Sequence, residues 1–75
     1  MTDPRPLPVD GLQVETKPEM VTNPYSGETV ELPPDAVAVY DFIKGAEVFG
    51  EYVGMQKGLD WFREYFPKEY YVLLD

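Results

Sequence analysis

Ten of the eleven aromatic residues of this chain fall between Tyr40 and Tyr71. Aromatic side chains bury large apolar areas, so this stretch can form the core of a small domain. The 75 residues allow one domain, and a domain this short buries only about 60% of the surface that its unfolded chain exposes. Cysteine and histidine are absent, so disulfides and the common zinc sites cannot stabilise the fold. An aromatic core, oligomerisation or a partner must do so.

Residues 1–18 are predicted to form an extended, proline-rich arm, and residues 19–75 a small α+β domain. Four of the eight prolines lie in the arm, and the alternation Pro4-Arg5-Pro6-Leu7-Pro8 favours polyproline II geometry. Alone in water, such a segment is expected to be mobile. Four apolar residues are unusual for a pure linker and suit docking, either onto a neighbouring protein or back onto the domain: Leu7, Val9, Leu12 and Val14.

A β-hairpin is predicted between Glu19 and Leu32. The segments 19–22 and 29–32 have β-type composition and partial alternation, which places Val30 and Leu32 on one face. The intervening Asn23-Pro24-Tyr25-Ser26-Gly27-Glu28 has the residues of a turn. Tyr25 is either an exposed recognition tip or folded over the edge of the core, and turn chemistry alone favours the second.

Two antiparallel helices and a short C-terminal helical turn complete the predicted α+β fold. Proline suits the first position of a helix, so Pro33-Pro34-Asp35 marks the start of the first helix. Gly50 is expected to cap its end. The second helix is predicted from about Glu51 to Tyr65, and Pro67 separates it from a last turn over residues 68–74.

Apolar residues spaced by three and four predict the core face of each helix. The first stripe is Ala36, Val39, Tyr40, Ile43 and Ala46, and the second is Tyr52, Met55, Leu59, Phe62 and Phe66. Glycines inside a helix weaken it but let a neighbour approach closely. We therefore expect close packing at Gly45, Gly54 and Gly58.

The run from Trp61 to Phe66 cannot all point inward. Trp61 and Tyr65 lie beside the core stripe and form either a wider core or an adhesive surface, because both residue types are frequent at binding hot spots. Core use is favoured in so short a chain. Both stay candidate partner-binding residues, together with Tyr25 and the four apolar residues of the arm.

The formal charge of −8 argues against direct contact with nucleic acid or an anionic membrane. No apolar run approaches the roughly 20 residues that cross a bilayer, and no signal peptide is visible, so a soluble protein is expected. The charge mainly favours solubility but also suits a basic partner or DNA mimicry. Residues 1–34 and 35–75 each carry a net charge of −4, and this even spread weakens the idea of mimicry.

Catalysis is not expected. Without histidine or cysteine, the commonest general base and the best nucleophile are missing, and Ser26 lies alone in a turn. Asp60 and Glu64 share a helix face but have Arg63 nearby, which suits surface ion pairing. We expect no cofactor and no metal, and a carboxylate enzyme using a hard metal ion is the least favoured alternative.

Three segments resemble small uncharacterised proteins of tailed bacteriophages: residues 23–28, Tyr40-Asp41-Phe42-Ile43-Lys44-Gly45-Ala46, and Phe66-Pro67-Lys68-Glu69-Tyr70-Tyr71-Val72-Leu73-Leu74-Asp75. The resemblance begins at Val21, leaves the arm unexplained and brings no catalytic residues. It implies a viral accessory or virion protein, located in the virion or the host cytoplasm.

Two functions are consistent with that context. The first is a structural subunit of capsid-binding or cement type, which clamps onto a larger viral assembly through its arm. The alternative is an acidic early protein that binds and inhibits a host enzyme, with DNA mimicry as one route. Either function needs a protein partner, and homo-oligomerisation stays open.

Overall fold

A β-hairpin followed by three helices makes up the fold over residues 5–75, which are the residues that the computed structural model describes. The strands are β1 (Glu19–Thr22) and β2 (Thr29–Leu32). The helices are α1 (Pro34–Phe49), α2 (Tyr52–Tyr65) and α3 (Pro67–Leu73). This small α+β architecture confirms the predicted fold class. The first four residues of the predicted arm lie outside the described residues.

The two strands pair antiparallel, with Glu19 opposite Leu32 and Thr22 opposite Thr29. The hydroxyl groups of Thr22 and Thr29 lie 2.7 Å apart and share a hydrogen bond. Side chains on a strand alternate between its faces, and Leu32 is buried while Glu31 is exposed. The alternation predicted from the sequence therefore places the Leu32 side chain in the core.

The hairpin loop closes on Asn23. Its backbone N–H donates to the carbonyl of Glu28 at 2.8 Å, and its own carbonyl accepts from the N–H of Gly27 at 2.8 Å. Gly27 has a φ of 78°, the left-handed conformation for which glycine was expected. Tyr25 occupies the apex of this closed loop and is 96% exposed, so the predicted folding of its ring over the core edge is wrong.

The helix ends follow the predicted signals. Pro34 takes the first position of α1, and the Asp35 carboxylate accepts a 2.9 Å hydrogen bond from the N–H of Ala36. Gly50 has a φ of 73° and its N–H donates to the last carbonyls of α1, which confirms it as the cap. Pro67 begins α3.

The core lies where β2 and the three helices meet. Its fully buried larger side chains are Leu32, Val39, Ile43 and Phe62. Buried neighbours in the same cluster are Ala36, Val37, Trp61 and Leu73. Burying a large apolar side chain contributes about 1.5–3 kcal/mol. The burial of this set therefore stabilises a fold that has no disulfide bond.

Helices α1 and α2 touch along a line of two glycines. A Cβ atom on Gly58 would lie 2.7 Å from Cγ1 of Ile43, and one on Gly54 would lie 2.9 Å from Cζ of Phe42. Real Cβ atoms do not come this close to another carbon, so only glycine fits at this distance between the helices. The predicted close packing is confirmed at these two positions. It is wrong at Gly45, where a Cβ would meet nothing within 4 Å, because Gly45 lies on the far side of α1 from Ile43.

The buried face of α2 is rotated from the predicted stripe. Tyr52 is 66% exposed, whereas Trp61 is only 5% exposed. Because α1 approaches α2 along its glycine line, the side chains next to that line become buried, and Trp61 is one of them. Tyr52 lies at the opposite edge of the stripe and turns toward solvent. The favoured assignment of Trp61 to the core therefore agrees with its burial.

Candidate functional site

Four large apolar side chains are exposed on either side of the turn between α1 and α2. We call these four residues the apolar tip, and they are Val48, Phe49, Tyr52 and Val53. The exposed fractions are 81% for Val48, 87% for Phe49 and 70% for Val53. Exposed apolar residues that lie this close in the chain are candidates for an interaction surface.

Backbone hydrogen bonds hold the apolar tip in place. The N–H of Glu51 donates to the carbonyl of Ala46 at 2.8 Å, across the left-handed Gly50. The carboxylate of Glu51 then accepts a 3.1 Å hydrogen bond from the N–H of Gly54 and caps α2. The turn between the helices is therefore short and well bonded, so it presents its apolar side chains on a rigid support.

The apolar tip has an acidic border. Glu47 precedes Val48 and Glu51 precedes Tyr52, and both residues are exposed. Lys44 lies one turn before Val48, and its ammonium group is 3.9 Å from the carboxylate of Glu47. A contact of this length between exposed groups is weak. The border therefore keeps a negative balance.

A groove of about 320 Å³ is lined by residues of α1, α2, the hairpin loop and the end of the chain. Its apolar lining is Ile43, Met55, Leu59, Leu73 and Leu74, and its other lining residues are Asn23, Tyr25, Lys44, Glu47 and Asp75. Tyr52 lies three residues before Met55 on the same helix, and residues spaced in this way are neighbours on one face. Tyr52, the exposed residue of the predicted α2 stripe, thus lies on the same helix face as Met55, which lines this groove and packs against the core.

The arm docks onto its own domain, which is one of the two arrangements predicted for it. Nε and Nη2 of Arg5 donate to the two carboxylate oxygens of Asp35 at 2.8 and 2.9 Å. The guanidinium carbon lies 4.6 Å from the centroid of the Phe66 ring. The indole N–H of Trp61 donates to the carbonyl of Pro6. Hydrogen bonding to Asp35 raises the pKa of Arg5, against the opposing effect of burial, so the guanidinium stays charged.

A second groove, of about 340 Å³, lies between the arm and α2, and we call it the arm groove. Its lining residues are Pro6, Leu7, Pro8, Lys57, Asp60, Trp61, Glu64 and Tyr65. Trp61 and Tyr65 form an aromatic wall, with ring centroids 5.4 Å apart. The side chain of Leu7 stays partly exposed over this space.

The predicted partner-binding residues separate into different places. Leu7, Trp61 and Tyr65 meet at the arm groove. Trp61 is buried, whereas Tyr65 is 36% exposed, so the favoured assignment of Tyr65 to the core is wrong. Leu12 is half-buried and packs against the core, Val9 is half-buried, and Val14 is exposed. Tyr25 lines the other groove. These residues do not form a single surface.

The apolar tip was missed by the sequence reasoning, although a signal was present. Val48 and Phe49 fall outside the predicted stripe of the first helix, five and six residues after Ile43. Large apolar residues on the polar side of an amphipathic helix have no core to join. Tyr52 and Val53 could not be identified in the same way, because Tyr52 matched the spacing of the second stripe.

No match to the chain is found among protein-family models, curated proteins or solved structures. Within residues 5–75, no three metal-ligating side chains are grouped so that they could hold an ion. None of the helices in that range is both long and apolar enough to cross a membrane. A function for the chain must therefore be argued from its exposed side chains and its grooves.

Proposed function

We propose that this protein is a non-enzymatic interaction subunit that binds another protein through its apolar tip. The exposure of Val48, Phe49, Tyr52 and Val53 is the observation that supports this function most strongly. Covering a fully exposed apolar side chain contributes about 1.5–3 kcal/mol, so a partner that covers all four gains an amount of the same order as the cost of association. Rigid presentation by the capped turn lowers that cost further.

The partner is a protein surface that combines apolar and basic groups. Glu47 and Glu51 flank the apolar tip and favour cationic groups at the rim of the interface. A second copy of the tip would bring the same carboxylates together on two chains of charge −8, which is unfavourable. The tip therefore suits a different protein better than it suits itself.

The bacteriophage resemblance supplies the setting of this proposal. In that setting the partner is a larger viral assembly, the subunit is of capsid-binding or cement type, and the protein resides in the virion. The arm was expected to act as the clamp. Because Arg5 and Pro6 already bind the protein's own domain, the apolar tip is the better supported surface for the first contact with the assembly.

A second candidate function is inhibition of a host enzyme in the cytoplasm through the acidic surface. It is supported by the absence of any buried charged side chain within the described part of the chain, so carboxylates other than that of the Arg5-bound Asp35 are accessible to a basic partner. Ion pairs such as Arg63–Asp60, at 2.9 Å, neutralise part of that surface. This function predicts binding that weakens strongly between about 0.05 and 0.2 M salt, where exposed charges become screened.

The test is the copy number of the chain on purified virus particles, measured by mass spectrometry. We compare the natural chain with Phe49→Ser/Val53→Ser and with Tyr71→Ser, a control at an exposed tyrosine of α3. We expect many copies for the natural chain and the control, and about a tenfold loss for the double variant. Equal copy numbers for all three would exclude the apolar tip. Absence of every form from the particle would overturn the virion assignment and favour the inhibitor.

A further inference from the structure

Three interactions of different chemistry hold the arm, and each depends on a different chemical feature of Arg5 or Pro6. Asp35 accepts two hydrogen bonds from the Arg5 guanidinium, the bidentate geometry that lysine cannot reproduce. Phe66 lies under the same guanidinium at 4.6 Å, a cation–π contact. Trp61 donates its indole N–H to the Pro6 carbonyl. The domain thus contacts the charge and the planar face of the Arg5 guanidinium and the backbone carbonyl of Pro6.

The segment that these groups hold is rich in proline, which favours extended backbone. Pro6 and Pro8 fix their own φ angles and restrict Arg5 and Leu7 before them. Arg5, Pro6 and Leu7 belong to no helix or strand. Polyproline II geometry leaves carbonyl groups without internal partners, and domains that bind such segments use aromatic grooves. The Trp61 N–H and the Trp61–Tyr65 wall, with ring centroids 5.4 Å apart, provide an aromatic surface and a hydrogen-bond donor of this kind here.

We propose that the surface formed by Asp35, Trp61, Tyr65 and Phe66 under the arm is a peptide-binding site for extended Arg-Pro-apolar-Pro segments, occupied in cis by residues 5–8 and open in trans to the same segment of a second copy. This site is separate from the apolar tip and does not depend on the function proposed for it. The arm of a second copy is the occupant best supported, because it carries every group that the site already contacts.

The residues that bind the arm belong to the helical part of the domain, whereas the arm segment that they bind lies outside every helix and strand. Asp35 lies at the start of α1, Trp61 and Tyr65 on α2, and Phe66 between α2 and α3. Residues 5–18 form no helix or strand. The same contacts can be made in trans, and exchange of identical segments between copies is a low-cost route to association.

Cis occupancy is favoured by proximity alone. A tethered segment has an effective concentration in the millimolar range, so a free peptide must compete with the attached arm. Weakening the attached arm removes this competition and leaves the receptor residues unchanged. Arg5→Ala achieves this, because Arg5 makes two of the three contacts while Asp35 and Phe66 stay in place.

The experiment titrates a capped synthetic peptide of residues 5–12 into full-length Arg5→Ala protein and follows the fluorescence of Trp61, the only tryptophan. The peptide contains no aromatic residue, so the signal reports the receptor alone. We expect saturable binding, about tenfold weaker for the natural chain because its own arm competes. Peptides carrying Arg5→Ala, or Pro6→Ala with Pro8→Ala, should each bind about tenfold more weakly than the natural peptide.

Full-length Arg5→Lys serves as a second receptor, since it keeps the charge near Phe66 and disturbs the fold less. Saturable binding by either receptor, with both peptide preferences, supports the site. No saturable binding by either receptor would overturn it. Equal affinity for the natural and the Arg5→Ala peptides would also overturn it, because the site would then not recognise the guanidinium. Equal affinity for the natural and the proline-substituted peptides would do the same, because the site would then not recognise the extended backbone.

Discussion

The side-chain amide of Asn23 donates a 2.7 Å hydrogen bond to the backbone carbonyl of Val72, and thereby joins the hairpin loop to the last helix. The oxygen of the same amide accepts from the N–H of Tyr25 at 2.8 Å. Val72 lies in the last turn of α3, where helix carbonyls lack partners within the helix. One side chain thus organises its own loop and satisfies a group 49 residues away.

Two substitutions at Asn23 separate these roles. Asn23→Ala removes both, and we expect the free energy of unfolding to fall by about 1–3 kcal/mol. Asn23→Asp keeps an acceptor for the loop but removes the donor and sets a carboxylate against the Val72 carbonyl, so it should lose about 1–2 kcal/mol. Urea unfolding followed by circular dichroism measures both. An aspartate variant as stable as the natural protein would show that the bond to Val72 contributes nothing.

The same substitution at two glycines should have opposite effects. Gly58→Ala places a Cβ 2.7 Å from Cγ1 of the buried Ile43, and overpacking of this kind costs about 1–3 kcal/mol. Gly45→Ala meets nothing within 4 Å and should stabilise α1 by about 0.5–1 kcal/mol through helix propensity. Thermal unfolding of the two variants checks the pair. A Gly58→Ala melting temperature at or above that of the natural chain would contradict the close packing of the helices.

Local signals were sufficient to predict the elements of this fold. Gly27 supplies a left-handed turn, Pro34 the first position of α1, and Gly50 its cap, and each acts through its own backbone or its nearest neighbours. The strand bounds agree with the prediction, and the helix bounds differ from it by about one residue. Such features can be read from a sequence because the interaction that fixes them spans only a few residues.

Features that depend on distant partners could not be predicted. The bond from Asn23 to Val72 and the pairing of Arg5 with Asp35, 30 residues apart, leave no trace in any local pattern. The apolar spacing of α2 defines a stripe but not its rotation, which the glycine line sets by admitting α1. For that reason Tyr52 was assigned to the core when it belongs to the apolar tip.

Two phenylalanines distinguish the core from the apolar tip. Phe62 is fully buried, and Phe62→Ala should reduce the free energy of unfolding by about 3–5 kcal/mol. Phe49 is exposed, and Phe49→Ala should change it by no more than about 0.5 kcal/mol. Denaturant unfolding of both variants gives the comparison. If Phe49→Ala lost more than about 1 kcal/mol, the ring would be packed in solution, and the apolar tip would not be free to bind a partner.

The Arg5–Asp35 ion pair should couple its two residues more strongly than the Arg63–Asp60 pair. Arg5 is bound bidentately to a partly buried carboxylate, whereas Arg63 and Asp60 are both more than half exposed. Double-mutant cycles with alanine should give about 1 kcal/mol for the first pair and about 0.2–0.5 kcal/mol for the second. The hydrogen bond from Ala36 to Asp35 is lost in both Asp35 variants and cancels in the cycle.

Hydrogen bonding to Asp35 raises the pKa of Arg5. This shift determines the pH above which the Arg5–Asp35 coupling is lost. A raised pKa means that the stabilisation is complete below the ordinary arginine value and is lost only as the pH rises through the higher folded value. Cycles measured at about pH 7 and about pH 9 should therefore agree, since both lie far below the arginine pKa. A coupling that fell between these two pH values would show that another group, which titrates in this range, controls the Arg5–Asp35 interaction.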